Sequence, residues 1–226
     1  MSNKSIDDIH INLQTYSHYS RDSLNDNESL AAYRKSQIDR HSKKINHKRH
    51  ERVYRSASRH IFNFKKNRIH KSNFNMWCLG TRNNWERNQF RKFLKTNKVF
   101  SLDISPNSNA DLICDFNSLK LKPKAEVIYS NSIDHSIDAT ITYLNWIENL
   151  KKYGIMVVDF PISKKTKDSP NSHDCSLFSR DSVLSFLQLL EKELLINMII
   201  DPYSSNDEDT HTCNYYRTII KKLRNF

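Results

Sequence analysis

A chain of 226 residues can bury one sizeable core and carry an appendage beside it. With 37% hydrophobic residues and no run of 18 uninterrupted apolar ones, it contains nothing that reads as a membrane-spanning helix. Its net charge of +11 is uneven: residues 1–28 hold two basic and five acidic residues, 29–71 hold 14 and two, and 72–226 hold 20 and 18, so one segment carries the basicity. The polar start of the chain has neither a secretory apolar core nor an Arg-rich, acid-poor composition. Cys78, Cys114, Cys175 and Cys213 form no CxxC pair, so reduced thiols in a cytoplasmic protein are the expectation. His173-Asp174-Cys175 and His211-Thr212-Cys213 match no zinc template, and no metal site is expected.

In chain order, residues 1–28 are rich in Ser, Asn and Asp and read as a polar, disordered arm. Residues 29–72 lack Gly and Pro; Leu30, Ile38, Val53, Ala57 and Ile61 recur at mostly helical spacings, and Asn27 or Ser29 offers an N-cap. This segment reads as a basic, partly helical extension of one or two helices. From residue 73 to 226 the texture is that of one α/β domain. Strands are expected at Phe74–Leu79, Val99–Leu102, Leu112–Cys114, Val127–Tyr129, Ile155–Phe160, Leu194–Ile200 and Tyr215–Ile220, with helices at Trp85–Thr96, Ile137–Lys152 and Ser179–Glu193. Gly154 falls where a glycine closes a helix C-terminus. Asp201-Pro202 reads as the stop of the sixth strand, and a polar loop from Tyr203 to Thr212 leads to the last one. The fold expected is a doubly wound, seven-stranded, mostly parallel sheet with a C-terminal antiparallel hairpin.

The stretch Met76-Trp77-Cys78-Leu79-Gly80 is an apolar run ending in one of only two glycines, and a helical pattern follows. Twenty-three residues after Gly80, a second apolar run ends in Asp103. Strand, glycine turn, helix, and an acid at the tip of the next strand form the skeleton of a nucleotide-type cofactor site: the glycine lets backbone approach a ligand, and the acid accepts hydrogen bonds from a ribose diol. A nicotinamide-binding turn needs further glycines for the pyrophosphate, and Gly80-Thr81-Arg82-Asn83-Asn84-Trp85 lacks them.

The ordered set of motifs from about residue 73 to 222 resembles the class I S-adenosylmethionine-dependent methyltransferases. The turn Leu79-Gly80-Thr81-Arg82 with Glu86 resembles a G-x-R-x-x-x-E subset of that family, and Ser130-Asn131-Ser132-Ile133-Asp134-His135 resembles its S-N-S-x-D-H box. The resemblance implies S-adenosylmethionine as cofactor. It implies that Leu79, Gly80, Thr81, Arg82 and Glu86 surround the methionine portion and that Asp103 and Ile104 lie at the ribose. Asp115 and Phe116 would flank adenine, and Ser130 and Asn131 would wall the sulfonium. The usual turn has two or three glycines; here Arg82 and Asn84 replace them, and Asn84 suits a left-handed backbone. The resemblance also implies a small-molecule or saccharide-type acceptor; no Asn/Asp-Pro-Pro-Tyr box marking a DNA-base or protein methyltransferase follows the fourth strand.

Asp134 and His135 are the candidate catalytic residues, able to take a proton from an oxygen or nitrogen acceptor; their bland role is to shape the loop by hydrogen bonding to backbone. His173, in the long stretch from Pro161 to Phe178, is a second candidate. Trp77 and Trp85 read as packing residues. The basic segment 29–71, with Tyr33, Tyr54 and Phe62 among its cations, has two readings. It is either an arm contacting phosphate backbones of nucleic acid or an anionic surface, or a solvated helical extension that covers the cofactor face or mediates self-association. The alternative to an enzyme is therefore a catalytically degenerate methyltransferase fold acting as a binding or scaffold module through that segment.

Overall fold

The computed structural model describes residues 13, 16–17, 26–41, 51–68, 74–81, 83–162, 176–194, 196–204 and 214–223. Arg82, His173, Cys175, His211 and Cys213 lie outside them, as does most of the Tyr203–Thr212 loop. In chain order the elements are β1 (Tyr16–Ser17), α1 (Asn27–His41), α2 (Glu51–Arg68), β2 (Met76–Leu79), α3 (Trp85–Leu94), β3 (Val99–Asp103), β4 (Leu112–Ile113), β5 (Ala125–Ser130), α4 (Ala139–Glu148), β6 (Leu150–Ile162), β7 (Ser176–Leu177), α5 (Arg180–Leu194), β8 (Ile196–Ser204) and β9 (Asn214–Lys222). Among the described residues no helix is long and apolar enough to cross a membrane.

The main sheet is hydrogen-bonded in the order β4-β3-β2-β5-β6-β9-β8. Its first five strands in that order run parallel, and β9 and β8 close it as an antiparallel hairpin. This is a mixed, mostly parallel α/β sheet, and the apolar runs explain it. Alternate residues of each central strand face opposite layers. Leu79, Leu102, Ile128, Met156 and Val158 pack under α4 and α5 with Trp146, Ile147, Phe186 and Leu190. Met76, Cys78, Val99, Val127 and Val157 pack against Tyr54, Ala57 and Ile61 of α2 and Phe90 and Leu94 of α3.

Four expectations differ from the structure. First, Leu13, within the stretch expected to be a loose arm, is fully buried in the core, its N–H donating to Thr140 Oγ1 at 2.9 Å, while Tyr16–Ser17 pairs with Ser176–Leu177. Second, α1 and α2 are solvated on one face only: Tyr33, Val53, Tyr54, Ala57 and Ile61 are each 2% exposed or less. Third, the helix expected through Lys152 ends at Glu148, and β6 begins at Leu150. Gly154 therefore lies inside a strand, in an irregularity where Ala125 pairs with Leu150 but Val127 with Ile155. The strand bulges at Tyr153, φ +64°, and a Cβ on Gly154 would sit 2.9 Å from the Lys151 carbonyl oxygen and 3.0 Å from that of Glu126. Fourth, Asp201-Pro202 does not stop its strand; β8 continues to Ser204. As an edge strand it tolerates a residue with no N–H to donate.

Candidate functional site

The carboxyl ends of β4, β3, β2 and β5 meet at one edge of the sheet. At the end of β2 the chain must turn sharply, and Gly80 does so at φ +73°, its N–H donating to the Leu102 carbonyl at 2.8 Å. A Cβ there would sit 2.8 Å from Ser132 Cβ, 2.9 Å from Ser132 Oγ and 3.4 Å from a Phe116 ring carbon. Only a bare Cα fits this position. Asn84, expected to accept a left-handed backbone, has φ +64° and caps α3.

A small cavity with about 10 Å³ of free space, partly open to solvent, lies over this turn. From the strand ends it is lined by Gly80, Asp103, Ile104 and Phe116; from the segment after β5 by Ser132 and His135; and from α1 by Tyr33 and Gln37. Asp103 is fully buried, and its Oδ1 accepts the Ser105 N–H at 2.8 Å. Asp115 caps the 3-10 turn Phe116–Ser118, accepting from Asn117 N at 3.0 Å, and Arg34 of α1 reaches its other oxygen at 3.4 Å. Phe116 is held by Trp146, whose Nε1 donates to the Phe116 carbonyl at 2.9 Å and whose ring stands edge-on at 5.5 Å.

The remaining sequence candidates separate by position. His135 lines the cavity, and Asp134 stands behind it, 3.9 Å from Nε2 to carboxylate oxygen. Ser130 is fully buried and faces inward: its hydroxyl donates to the Leu79 carbonyl at 3.2 Å and accepts the Ser132 N–H at 3.1 Å. Asn131 donates from Nδ2 to the Tyr54 hydroxyl at 3.3 Å, and that hydroxyl donates to Glu86 Oε1 at 3.1 Å. Leu79 is core. Thr81 is 1% exposed, and its Oγ1 has no hydrogen-bond partner among the described residues. Cys78 and Cys114 are free thiols, the first pushed well above its ordinary pKa by burial and the second pushed up to about 11, so neither is a ready nucleophile at neutral pH.

Sequence reasoning did not single out Tyr33, Gln37 or Ser132 as wall residues. Tyr33 is fixed over the cavity by Asn117, whose Nδ2 donates to its hydroxyl at 2.8 Å, and by packing with Ile137 and Ile104. Ser132 carried a signal, since it lies inside the Ser130–His135 box.

Protein-family models give no match to the chain, and no curated protein matches it. Solved structures do. The Burkholderia thailandensis 1,6-didemethyltoxoflavin-N1-methyltransferase, with bound 1,6-didemethyltoxoflavin and S-adenosylhomocysteine, superposes with a TM-score of 0.59 at 13% identity, covering 87% of this chain and 90% of its own. The plantazolicin methyltransferase BpumL in complex with S-adenosylhomocysteine gives 0.56 at 10% identity, over 89% and 93%. This chain has the fold of the class I S-adenosylmethionine-dependent methyltransferases. At such identities the likeness concerns the fold alone, and the fold also serves other chemistry: the [4+2]-cyclase SpnF matches at 0.51 and 9% identity, over 74% and 80%.

Proposed function

We propose that the chain is an S-adenosylmethionine-dependent methyltransferase acting on a small-molecule or saccharide-type acceptor. One observation carries the reading: three successive strand ends bring Gly80, Asp103 and Phe116 to a single cavity. The residues fit the cofactor. Gly80, pressed against Ser132 and Phe116 where no Cβ would fit, lines the cavity with bare backbone, and Thr81 keeps a buried hydroxyl unpartnered among the described residues. Asp103 presents a carboxylate suited to a ribose diol, and Phe116 presents a ring suited to a purine. Neighbours of this fold crystallised with S-adenosylhomocysteine support S-adenosylmethionine as the cofactor.

S-adenosylmethionine supplies a methyl group on a positively charged sulfur. The protein's task is then to hold an acceptor in line with that methyl and to exclude competing water. His135, which lines the cavity, would take a proton from the acceptor, and Asp134, 3.9 Å from its Nε2, would favour the charge that results. Glu86 and Asn131 stand at the methionine end, and Asp115 at the adenine end. With about 10 Å³ of free space, the cavity is far below the roughly 300–1,000 Å³ of small-molecule sites. Entry of a whole nucleoside therefore requires α1, with Tyr33 and Gln37, to swing outward. Two residues of α1 line the cavity and one face of α2 packs in the core, which favours a helical cover rather than a separate basic arm.

Calorimetric titration with S-adenosylmethionine and S-adenosylhomocysteine, on the wild type and on Asp103→Ala, tests this. Binding in the micromolar range, lost or weakened roughly 10–100-fold in the variant, is expected for removal of a charged hydrogen-bond acceptor. Flat titrations of the wild type with both nucleosides overturn the proposal.

A further inference from the structure

We infer that Tyr54, on the second helix of the basic segment, is a positioning residue for the amino-acid end of the cofactor. The inference rests on the methyltransferase reading above. The sheet order sets out the site from end to end: Asp115 follows β4, Asp103 ends β3, Gly80 ends β2 and Asn131 follows β5. With the ribose at Asp103 and adenine at Asp115, the methionine portion lies across β2 and β5. That end is bordered by Asn131 after β5 and by Glu86 in the first turn of α3.

The Tyr54 hydroxyl joins those two side chains. It donates to Glu86 Oε1 at 3.1 Å and accepts from Asn131 Nδ2 at 3.3 Å. The chain of contacts continues inward. Ser132 Oγ lies 3.2 Å from Asn131 Oδ1 and 3.2 Å from the Gly80 carbonyl, at the floor of the cavity. The phenol thus fixes which way the Asn131 amide faces: its NH2 is committed to Tyr54 and its oxygen to Ser132. It also fixes one oxygen of the Glu86 carboxylate, the group best suited to a ligand ammonium at this end.

A second, independent set of contacts holds Tyr54 in place. Its ring is 1% exposed and stands edge-on to Phe90 at 5.9 Å and Tyr129 at 6.0 Å. The turn of α2 that carries it is clamped from the sheet: Arg217 donates to the Val53 carbonyl at 3.0 Å and to Ser56 Oγ at 2.8 Å, one residue before Tyr54 and two after it. A hydroxyl locked on both sides and aimed at two polar side chains of the site has the geometry of a second layer of support, which keeps a binding group in its productive orientation.

The test separates this role from general support of the fold. Tyr54→Phe keeps the ring and removes only the hydroxyl. Calorimetry compares S-adenosylhomocysteine, which carries the amino-acid end, with 5′-methylthioadenosine, which lacks it. The expected result is a roughly tenfold weaker S-adenosylhomocysteine Kd with an unchanged 5′-methylthioadenosine Kd. Equal weakening of both ligands, or of neither, overturns the inference: the first makes Tyr54 a packing residue and the second a bystander. If the wild type binds neither nucleoside, it is the methyltransferase reading that has failed, and this inference goes with it.

Discussion

Arg217 on β9 and Asp159 on β6 stand opposite one another in the antiparallel register and form a fully buried ion pair, Nε to Oδ1 at 2.6 Å and Nη2 to Oδ2 at 3.0 Å. The pair is satisfied on all sides. Arg217 spends its other donors on Ser56 and the Val53 carbonyl of α2, and Asp159 also accepts the Tyr129 hydroxyl at 2.8 Å. Burial first, and then the Asp159 charge, push the Tyr129 phenol well above its ordinary pKa, so it remains a donor. One guanidinium thus ties the basic N-terminal segment to the two strands where the sheet changes from parallel to antiparallel.

Removing one partner strands a buried charge. Arg217→Met is expected to lower unfolding free energy by about 3–5 kcal/mol in urea titration. The double variant Arg217→Met/Asp159→Leu is expected to recover part of that, and not all, because Val53, Ser56 and Tyr129 keep unpaired polar groups. A single variant as stable as the wild type would show that the clamp contributes nothing.

The two glycines are expected to fail in different ways. Gly80→Ala combines a left-handed backbone, costing about 1–2 kcal/mol for an L-residue, with a Cβ 2.8 Å from that of Ser132. It is expected to destabilise the protein and abolish S-adenosylhomocysteine binding. Gly154→Ala drives a Cβ against two backbone oxygens far from the cavity and is expected to cost about 1–3 kcal/mol with unchanged affinity. Urea titration and calorimetry on both variants read the contrast; loss of affinity in Gly154→Ala would contradict it.

Thr81→Val offers the opposite trade. The hydroxyl it removes is buried and lacks a partner among the described residues, a situation costing about 1–3 kcal/mol. The variant is expected to melt about 2–4 °C higher for each kcal/mol regained, while S-adenosylhomocysteine binds more weakly. Calorimetric scanning with and without ligand measures both, and a variant that melts lower while binding normally would remove Thr81 from the site.

Asp111 sets part of the acid limb. Partial burial alone would raise its pKa, but hydrogen bonds from Arg87 Nη1 at 2.9 Å and from Ser101 N and Oγ at 2.8 and 2.9 Å outweigh it and hold the carboxyl below its ordinary 3.8. The folded protein therefore binds this proton less readily than the unfolded chain does. The stabilisation is complete above pH 3.8 and is lost as pH falls through the lower folded value. Melting temperatures of the wild type and Asp111→Asn are expected to differ at pH 6 and to converge as pH falls below 3.8. A gap that stays constant down to pH 2 would rule this out.

Much of the sheet was legible because its central strands are apolar on both faces. Met76–Leu79 and Val99–Asp103 stand out as short buried runs, and the glycine and acid at their ends mark the carboxyl edge. The C-terminal hairpin was legible for the same reason. The end of α4 was not: Lys151 and Lys152 continue a helical pattern in the sequence, yet pairing of Leu150 with Ala125 claims the chain for the sheet. Gly154 then serves a close backbone approach, for which the sequence carries the same sign as for a helix end.

The sequence by itself determined which residues alternate between the two core layers, where the chain must turn at Gly80, and that Asp103 and Phe116 follow successive strands. Those are local matters of apolar period and backbone freedom. Only the tertiary structure decided what the basic segment is for. Tyr33 meets Asn117 across 84 residues, Tyr54 meets Glu86 across 32, and Arg217 meets Ser56 across 161. In sequence such residues read as surface cations and scattered aromatics. Burial becomes favourable for them only when distant partners supply every hydrogen bond they give up in water, and no local pattern encodes that condition.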